Sequence, residues 1–224
     1  MITNLCPPSN TGIDSMINLD DFLKLIELLE TKGIDYALVG GVAMMALSPD
    51  FRATDDYDFI GQKSDFENID ELSKVSSDKN FGRYRHNSTT VDTLFTENPV
   101  FAHALKNYQA DCTIAGKTVR SLSPSGITLL KLYDLPSLYL QEQRVRVATY
   151  EQDLEILFIV DPNIDENILL KFLSKHLVPS QITELQYTCE DIRRKLSRKR
   201  FWDRTQTQYS NPKLNNVRKL TLSA

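Results

Sequence analysis

Two aspartates separated by one residue, Asp56 and Asp58, are the strongest chemical signal in the sequence. They alternate with Tyr57 and Phe59, and this period of two is typical of a β-strand, in which residues two apart share a face. The aromatic rings are therefore expected to point into a core while both carboxylates project together on the other side. Because adjacent like charges repel, the arrangement favours a cation between them. Carboxylate oxygens are hard ligands suited to Mg²⁺, so the pair predicts a divalent metal site.

A glycine pair precedes these aspartates. Gly40 and Gly41 follow a short apolar run at residues 36–39 and precede a second apolar segment at residues 42–47, which predicts a strand, a turn and a helix. Without Cβ atoms the backbone can approach a phosphate closely, and the free N–H groups at a helix start favour anions. A glycine pair also serves as an ordinary tight turn. The aspartates that follow favour the phosphate-binding interpretation.

Residues 40–58 spell G-G-x10-R-x-T-x-D-x-D, which resembles the signature of the nucleotidyltransferase superfamily built on the DNA polymerase β palm. The similarity is greatest to its bacterial branch of AbiEii-like and MenT-like toxins. The resemblance implies that Gly40 and Gly41 face a nucleoside triphosphate. It also implies that Asp56 and Asp58 hold divalent metal, Mg²⁺ or Mn²⁺.

Arg52 and Thr54 supply the middle of this string. Arg52 is expected near the triphosphate or paired with an aspartate of the same region, and Thr54 is expected to bond the backbone or an adjacent carboxylate. A solvated turn would explain the charges but not the order of the residues. We therefore assign both residues to substrate binding.

A third carboxylate is expected from a neighbouring strand. Asp92 lies in the string VDTLF, where it alternates with apolar neighbours, and it resembles the third acidic position of the superfamily. An exposed residue on an edge strand is the alternative. Asp111, in QADCTIAG, is a competitor that we interpret as a turn residue.

Lys131 is the remaining candidate site residue. The segment SPSGITLLKL resembles a string of the toxin-like branch whose lysine faces the nucleotide pocket, whereas a solvated lysine is the simpler alternative. Further along, Asp153 begins a D-L-x-x-L piece that resembles the last part of the family pattern. The family often carries another aspartate where this chain has Tyr150, so a structural role is predicted for Asp153.

The remaining segments predict a mixed α/β fold, a polymerase β-like palm with about five strands followed by a helical C-terminal region. The predicted domains are residues 1–122 and 123–224. Apolar periodicity and capping residues give the element boundaries. Predicted helices cover residues 18–33, 42–47, 64–77 (capped by Ser64), 123–135, 138–160, 164–175 and 179–199, predicted strands cover 35–39, 83–87, 89–95 and 117–122, and a tail is predicted from residue 201.

Charge is distributed unevenly along the chain. The net charge is −4, but residues 191–224 contain 10 Lys or Arg against 2 Asp. A basic end on an acidic body can dock a polyanion such as RNA, although a solvated helix end would have the same composition. Trp202 among arginines could likewise stack a nucleobase or simply pack.

The compartment follows from what the sequence lacks. The first residues have neither the basic nor the apolar region of a signal peptide, and no apolar run reaches the roughly 20 residues of a membrane span. The 3 cysteines are widely separated, which predicts neither a disulfide framework nor a zinc site. A cytoplasmic location without membrane contact is expected.

These residues together predict metal-dependent nucleotidyl transfer from a nucleoside triphosphate to an acceptor hydroxyl. Asp56, Asp58 and Asp92 are expected to hold two ions about 3.5–4 Å apart, with Asp92 and Lys131 taking part in catalysis. The resemblance favours an RNA end, that of tRNA in a toxin-antitoxin system, as acceptor, with an antitoxin as protein partner. Two alternatives are transfer to a small molecule such as an aminoglycoside, and a non-catalytic binding or regulatory module.

Overall fold

A computed structural model describes residues 18–48, 51–52, 54, 56–87 and 89–209, with side chains as far as residue 199. Its strands are β1 (Tyr36–Val39), β2 (Asp56–Gly61), β3 (Ser73–Ser77), β4 (Phe81–His86), β5 (Thr89–Phe95), β6 (Gln109–Ile114) and β7 (Lys117–Leu122). Its helices are α1 (Leu19–Thr31), α2 (Gly40–Leu47), α3 (Lys63–Glu67), α4 (Pro99–Asn107), α5 (Pro124–Leu140), α6 (Arg144–Val160), α7 (Glu166–Leu173) and α8 (Pro179–Tyr209).

The strands form one mixed sheet in the order β3-β4-β5-β2-β1-β7-β6. β2 runs antiparallel to β1 and parallel to β5, and β1 runs parallel to β7. The centre of the sheet is therefore β5-β2-β1. The predicted mixed α/β architecture is confirmed, with seven strands in place of about five.

The two faces of β2 differ as its alternating sequence predicts. Tyr57 and Phe59 are fully buried, and Phe22 of α1 meets the Tyr57 ring edge-on with 5.2 Å between centroids. Asp56 and Asp58 lie on the opposite face and are only partly buried. On that face Phe101 of α4 contacts the Phe81 ring of β4. α1 and α4 thus cover opposite faces of the sheet.

The predicted helix over residues 64–77 is wrong. The helix α3 is short, begins after Gln62 rather than at a Ser64 cap, and is followed by β3. β3 is the last strand of the sheet, and four of its five side chains are exposed. Such a strand buries neither face, so it has no period-two apolar pattern by which it could be recognised.

Asp111 is not a turn residue. It lies in the middle of β6, opposite Arg120 of β7. The turn of this hairpin comes later, at Ala115 and Gly116, both of which have positive φ.

The helical region also differs in its boundaries. The predicted break before residue 138 is absent, because α5 continues through Pro136 to Leu140. The chain turns at Glu142, which has a φ of 53°. α8 extends past the predicted end at Lys199, so the first part of the predicted tail is helical. Trp202 lies outside the described side chains, and residues 210–224 lie outside the described chain.

The sheet ends and the helical region begins at Ser123. Its side chain accepts a hydrogen bond from the Gly126 N–H, and Pro124 occupies the first turn, as predicted for an N-cap. The division into domains at this point stays a prediction. Among the described residues, no helix has the length and apolar character needed to cross a membrane.

Candidate active site

The register of the central strands brings the predicted acidic residues together. Asp58 pairs with Val39 of β1 on one side and with Asp92 of β5 on the other. Paired residues on adjacent strands point to the same face, and so do residues two apart on one strand. Asp56, Asp58 and Asp92 therefore share one face of the sheet, immediately beside the residue that precedes Gly40.

The glycine pair packs directly against this cluster. Gly40 has a φ of +64°, and a Cβ there would collide with the Asp58 carboxylate. A Cβ at Gly41 would lie 2.6 Å from the Thr54 Cβ. The Gly41 N–H donates a hydrogen bond to Asp58. In this structure the absence of a Cβ at Gly40 and Gly41 leaves room for the side chains of Asp58 and Thr54. The contact of the two glycines with a phosphate stays a prediction.

Asp58 has an unusual protonation equilibrium for an aspartate. Burial, followed by the neighbouring Asp92 carboxylate, raises its pKa to about 7. Asp56 adds to the rise, whereas the Gly41 N–H and the Lys131 ammonium oppose it. A carboxylate whose pKa is raised by burial and by neighbouring carboxylates belongs to a site that a cation would stabilise.

Asp92 has a cationic partner inside the protein. Arg83 pairs with it across the β4-β5 hairpin and donates from Nε and Nη2 to its two oxygens at 2.8 and 2.6 Å. Within the described ranges, no group of three or more His, Cys, Asp or Glu side chains is arranged to hold a metal ion. The three carboxylates have the oxygen donors that a divalent cation prefers, but in this described part of the chain they are not arranged as a metal site, and Arg83 occupies both oxygens of Asp92.

Lys131 also has a partner, and it lies inside rather than in solvent. Its Nζ contacts the Asp153 carboxylate at 2.6 Å, and both side chains are buried. The Arg52 guanidinium reaches the same oxygen at 3.5 Å, and the Tyr150 ring lies 4.4 Å from the Lys131 Nζ. Burial lowers the pKa of Lys131, and Asp153 opposes this. The predicted structural role of Asp153 is thus accompanied by a specific contact.

Arg83 is the residue of this site that the sequence predictions missed. A signal for it exists, because β4 ends at His86 and β5 begins at Thr89, and a loop this short fixes the hairpin register. Counting back from that loop pairs residue 86 with 89 and residue 83 with 92. An arginine directly opposite the third aspartate could therefore have been recognised.

Comparison with solved structures gives the fold a known counterpart. The antibiotic-resistance factor ANT(2'')-Ia, in complex with adenylyl-2''-tobramycin, matches with a TM-score of 0.54 at 16% identity, over 71% of this chain and 100% of the other. Its solution structure matches with a TM-score of 0.50 at 13% identity, over 82% and 96%. The chain has a nucleotidyltransferase fold. No family model matches the sequence, and a search of curated proteins found no match. At these identities the likeness establishes the fold, so the toxin branch stays a prediction.

Proposed function

We propose that this protein is a nucleotidyltransferase, which transfers a nucleoside monophosphate from a nucleoside triphosphate to an acceptor hydroxyl. The observation that carries the proposal is the pairing of Asp58 with Asp92 in register on adjacent strands. The pair lies beside the glycine turn, and its own repulsion contributes to the raised pKa of Asp58. A fold shared with nucleotidyltransferases makes phosphoryl transfer the reaction that suits such a cluster best.

Asp56, Asp58 and Asp92 are the proposed ligands of Mg²⁺ or Mn²⁺. When bound, these ions would neutralise phosphate charge and make the acceptor hydroxyl more acidic. Gly40 and Gly41 are proposed to present backbone N–H groups to the phosphates. Arg52, Thr54 and Lys131 would complete the nucleotide pocket, with the last of these acting as a compact point charge.

The protein contributes two things to the reaction: it positions the reactants, and it accepts the proton of the acceptor hydroxyl. The acceptor oxygen attacks the α-phosphorus in line, the bond from that phosphorus to the β-phosphate bridging oxygen breaks, and pyrophosphate leaves. Asp92 is proposed to accept the hydroxyl proton. Positioning and charge neutralisation supply most of the catalysis in such transfers.

RNA, with a tRNA end as the specific case, is the acceptor that the basic C-terminal region supports. Arg193 of α8 serves the protein itself, because it donates to Glu166 and lies over the Phe158 ring. Other cationic side chains of α8 are exposed to solvent and are available to a phosphate backbone. They are Lys195, Arg198 and Lys199. In this case the enzyme would act as a cytoplasmic toxin, with an antitoxin as partner.

An aminoglycoside-like polycation is the second candidate acceptor. One of the matched structures holds an adenylylated aminoglycoside. This chain also has a cavity of about 450 Å³ between α5, α6 and α8. It begins near Tyr139, about 12 Å along α5 from Lys131 at 1.5 Å per residue. Three carboxylates line it, and they would suit a cationic ligand. They are Glu151, Glu184 and Asp191.

One assay tests the reaction and separates the acceptors. The protein is incubated with each α-³²P-labelled nucleoside triphosphate and Mg²⁺, once with total RNA and once with a panel of aminoglycosides. Label on RNA that depends on Asp58 supports the first acceptor, and label only on an aminoglycoside supports the second. If the protein neither transfers label nor binds a triphosphate, the result supports the remaining alternative, a non-catalytic binding or regulatory protein with the same fold.

A further inference from the structure

Arg83 holds the carboxylate that the proposed reaction needs. Both oxygens of Asp92 accept hydrogen bonds from its guanidinium, which is the bidentate geometry that arginine forms best with a carboxylate. Among the neighbouring charges, the Asp92 carboxylate raises the pKa of Asp58 most. Arg83 therefore partly neutralises an acidic cluster that would otherwise repel itself.

The pair is accessible and has space beside it. The Arg83 side chain is 54% exposed and that of Asp92 is 26% exposed, so solvent weakens their attraction. A cavity of about 390 Å³ adjoins both side chains, and Ser77 and Phe81 also line it. The guanidinium can therefore leave Asp92 without displacing a packed side chain.

We propose that Arg83 is a positioning residue that competes with the divalent cation for Asp92. With no cation bound, the guanidinium supplies positive charge to the third carboxylate. A cation held by Asp92 would need the oxygens that Arg83 occupies, so the guanidinium would move away from Asp92 toward the adjoining cavity. This inference rests on the proposed function, because it gives Asp92 the role of a metal ligand.

Competition makes a prediction that a purely structural salt bridge does not. If Arg83 merely stabilises the hairpin, its removal leaves metal affinity unchanged or lowers it by disordering Asp92. If it competes, its removal frees Asp92 and eliminates a nearby positive charge, and both effects increase metal affinity. The sign of the change therefore distinguishes the two roles.

The experiment measures Mn²⁺ binding to the full chain without nucleotide, by the electron paramagnetic resonance signal of free Mn²⁺. Arg83→Gln is compared with the unmodified protein and with Arg85→Gln. Arg85 is a matched control because it is exposed on the same face of the same strand and pairs with Thr90 instead of Asp92. We expect Arg83→Gln to bind Mn²⁺ about three- to fivefold more tightly, as suits a partly exposed ion pair, and Arg85→Gln to change the Kd by less than about twofold. Thermal unfolding in EDTA checks that all three proteins are folded.

Equal or weaker Mn²⁺ binding by Arg83→Gln than by Arg85→Gln overturns the inference, as does a lack of measurable Mn²⁺ binding by all three proteins. The transfer assay reports separately on the proposed function. If the unmodified protein transfers nucleotide while the two variants bind Mn²⁺ alike, only the role of Arg83 is lost. If Arg83→Gln binds Mn²⁺ more tightly but no acceptor is ever labelled, the competition stands and nucleotidyl transfer fails.

Discussion

Two aspartates that interact with Lys131, Asp153 of α6 and Asp58 of β2, have opposite surroundings. Asp153 is 1% exposed and contacts the Lys131 ammonium and the Arg52 guanidinium. Asp58 lies beside two more carboxylates, and burial together with their charge raises its pKa to about 7. A buried acid that has its own cation is complete within the protein. A partly buried acid placed among acids is stabilised by a cation from outside, which is why we propose a structural role for the first and ligand binding for the second.

The largest effect on stability is expected from breaking the buried ion pair between Lys131 and Asp153. Asp153→Ala leaves the Lys131 ammonium buried without its closest partner, and the free energy of unfolding should fall by about 3–5 kcal/mol. The measurement is urea unfolding followed by circular dichroism. The double variant Lys131→Met/Asp153→Leu replaces the pair with apolar groups and should recover most of that loss. A single variant as stable as the unmodified protein would show that Asp153 is not the structural acid described here.

The glycine turn is expected to show the next largest effect. Gly40→Ala places a methyl group against the Asp58 carboxylate at a backbone conformation that disfavours L-residues. The two costs together should lower the free energy of unfolding by about 2–4 kcal/mol. Gly33→Ala is the matched control, because Gly33 also has positive φ but has no atom within 4 Å of the added Cβ. It should cost only about 1–2 kcal/mol, and equal losses at both positions would argue against close packing on Asp58.

Substitution of Asp58, which lacks a close cationic partner among the described residues, should have the opposite effect: the protein should lose activity but keep its stability. Asp58→Asn removes a proposed metal ligand, so transfer should fall by more than about 100-fold, beyond the effect typical of outer-shell groups. Asp92→Asn should behave similarly in the labelled-nucleotide assay. Turnover at the unmodified rate in Asp58→Asn would refute the metal assignment.

The raised pKa of Asp58 also predicts a pH dependence in metal-free buffer. Between its ordinary pKa, near 4, and about 7, the folded protein binds more protons at this residue than the unfolded chain does. The stability contributed by protonated Asp58 is therefore lost as the pH rises through this window. Thermal unfolding in EDTA at pH 4.5 and 7.5 should show a larger drop for the unmodified protein than for Asp58→Asn. Parallel pH profiles would mean that Asp58 is not perturbed.

The sequence predicted the centre of this site better than its surroundings, and the reason is the range of the interactions involved. The alternation of Asp56 to Phe59 and the turn at Gly40 and Gly41 are local patterns, and the structure has both. The meeting of Asp58 with Asp92 follows from the parallel pairing of β2 with β5. The family resemblance placed the third acid on a neighbouring strand, which local periodicity could not do. A local pattern predicts on which face of a strand a side chain lies, whereas strand pairing decides which side chains of different strands become neighbours.

The partner of Lys131 and the strand β3 were not predicted, because neither has a local signal in the sequence. The partner of Lys131 lies 22 residues away on another helix, and no local pattern indicates whether a helical lysine points inward. β3 has four exposed side chains of five, so it lacks the burial signal on which strand recognition depends. Arg83 was missed for a different reason. Its register with Asp92 was available from the hairpin loop, but an arginine on a polar strand has no distinctive pattern of its own.

The smallest effect is expected at an acid that has a cationic partner but remains in water. Asp191 accepts from Arg194 at 2.9 Å, and both side chains are more than half exposed. An exposed pair one helical turn apart contributes only about 0.3–0.5 kcal/mol, so Asp191→Asn should change the free energy of unfolding by no more than this in the same urea titration. Its distance is close to that of the Lys131–Asp153 pair, and the main difference between the two pairs is burial. If Asp191→Asn proved as damaging as Asp153→Ala, contact distance rather than burial would govern these carboxylates, and the contrast between Asp153 and Asp58 would lose its basis.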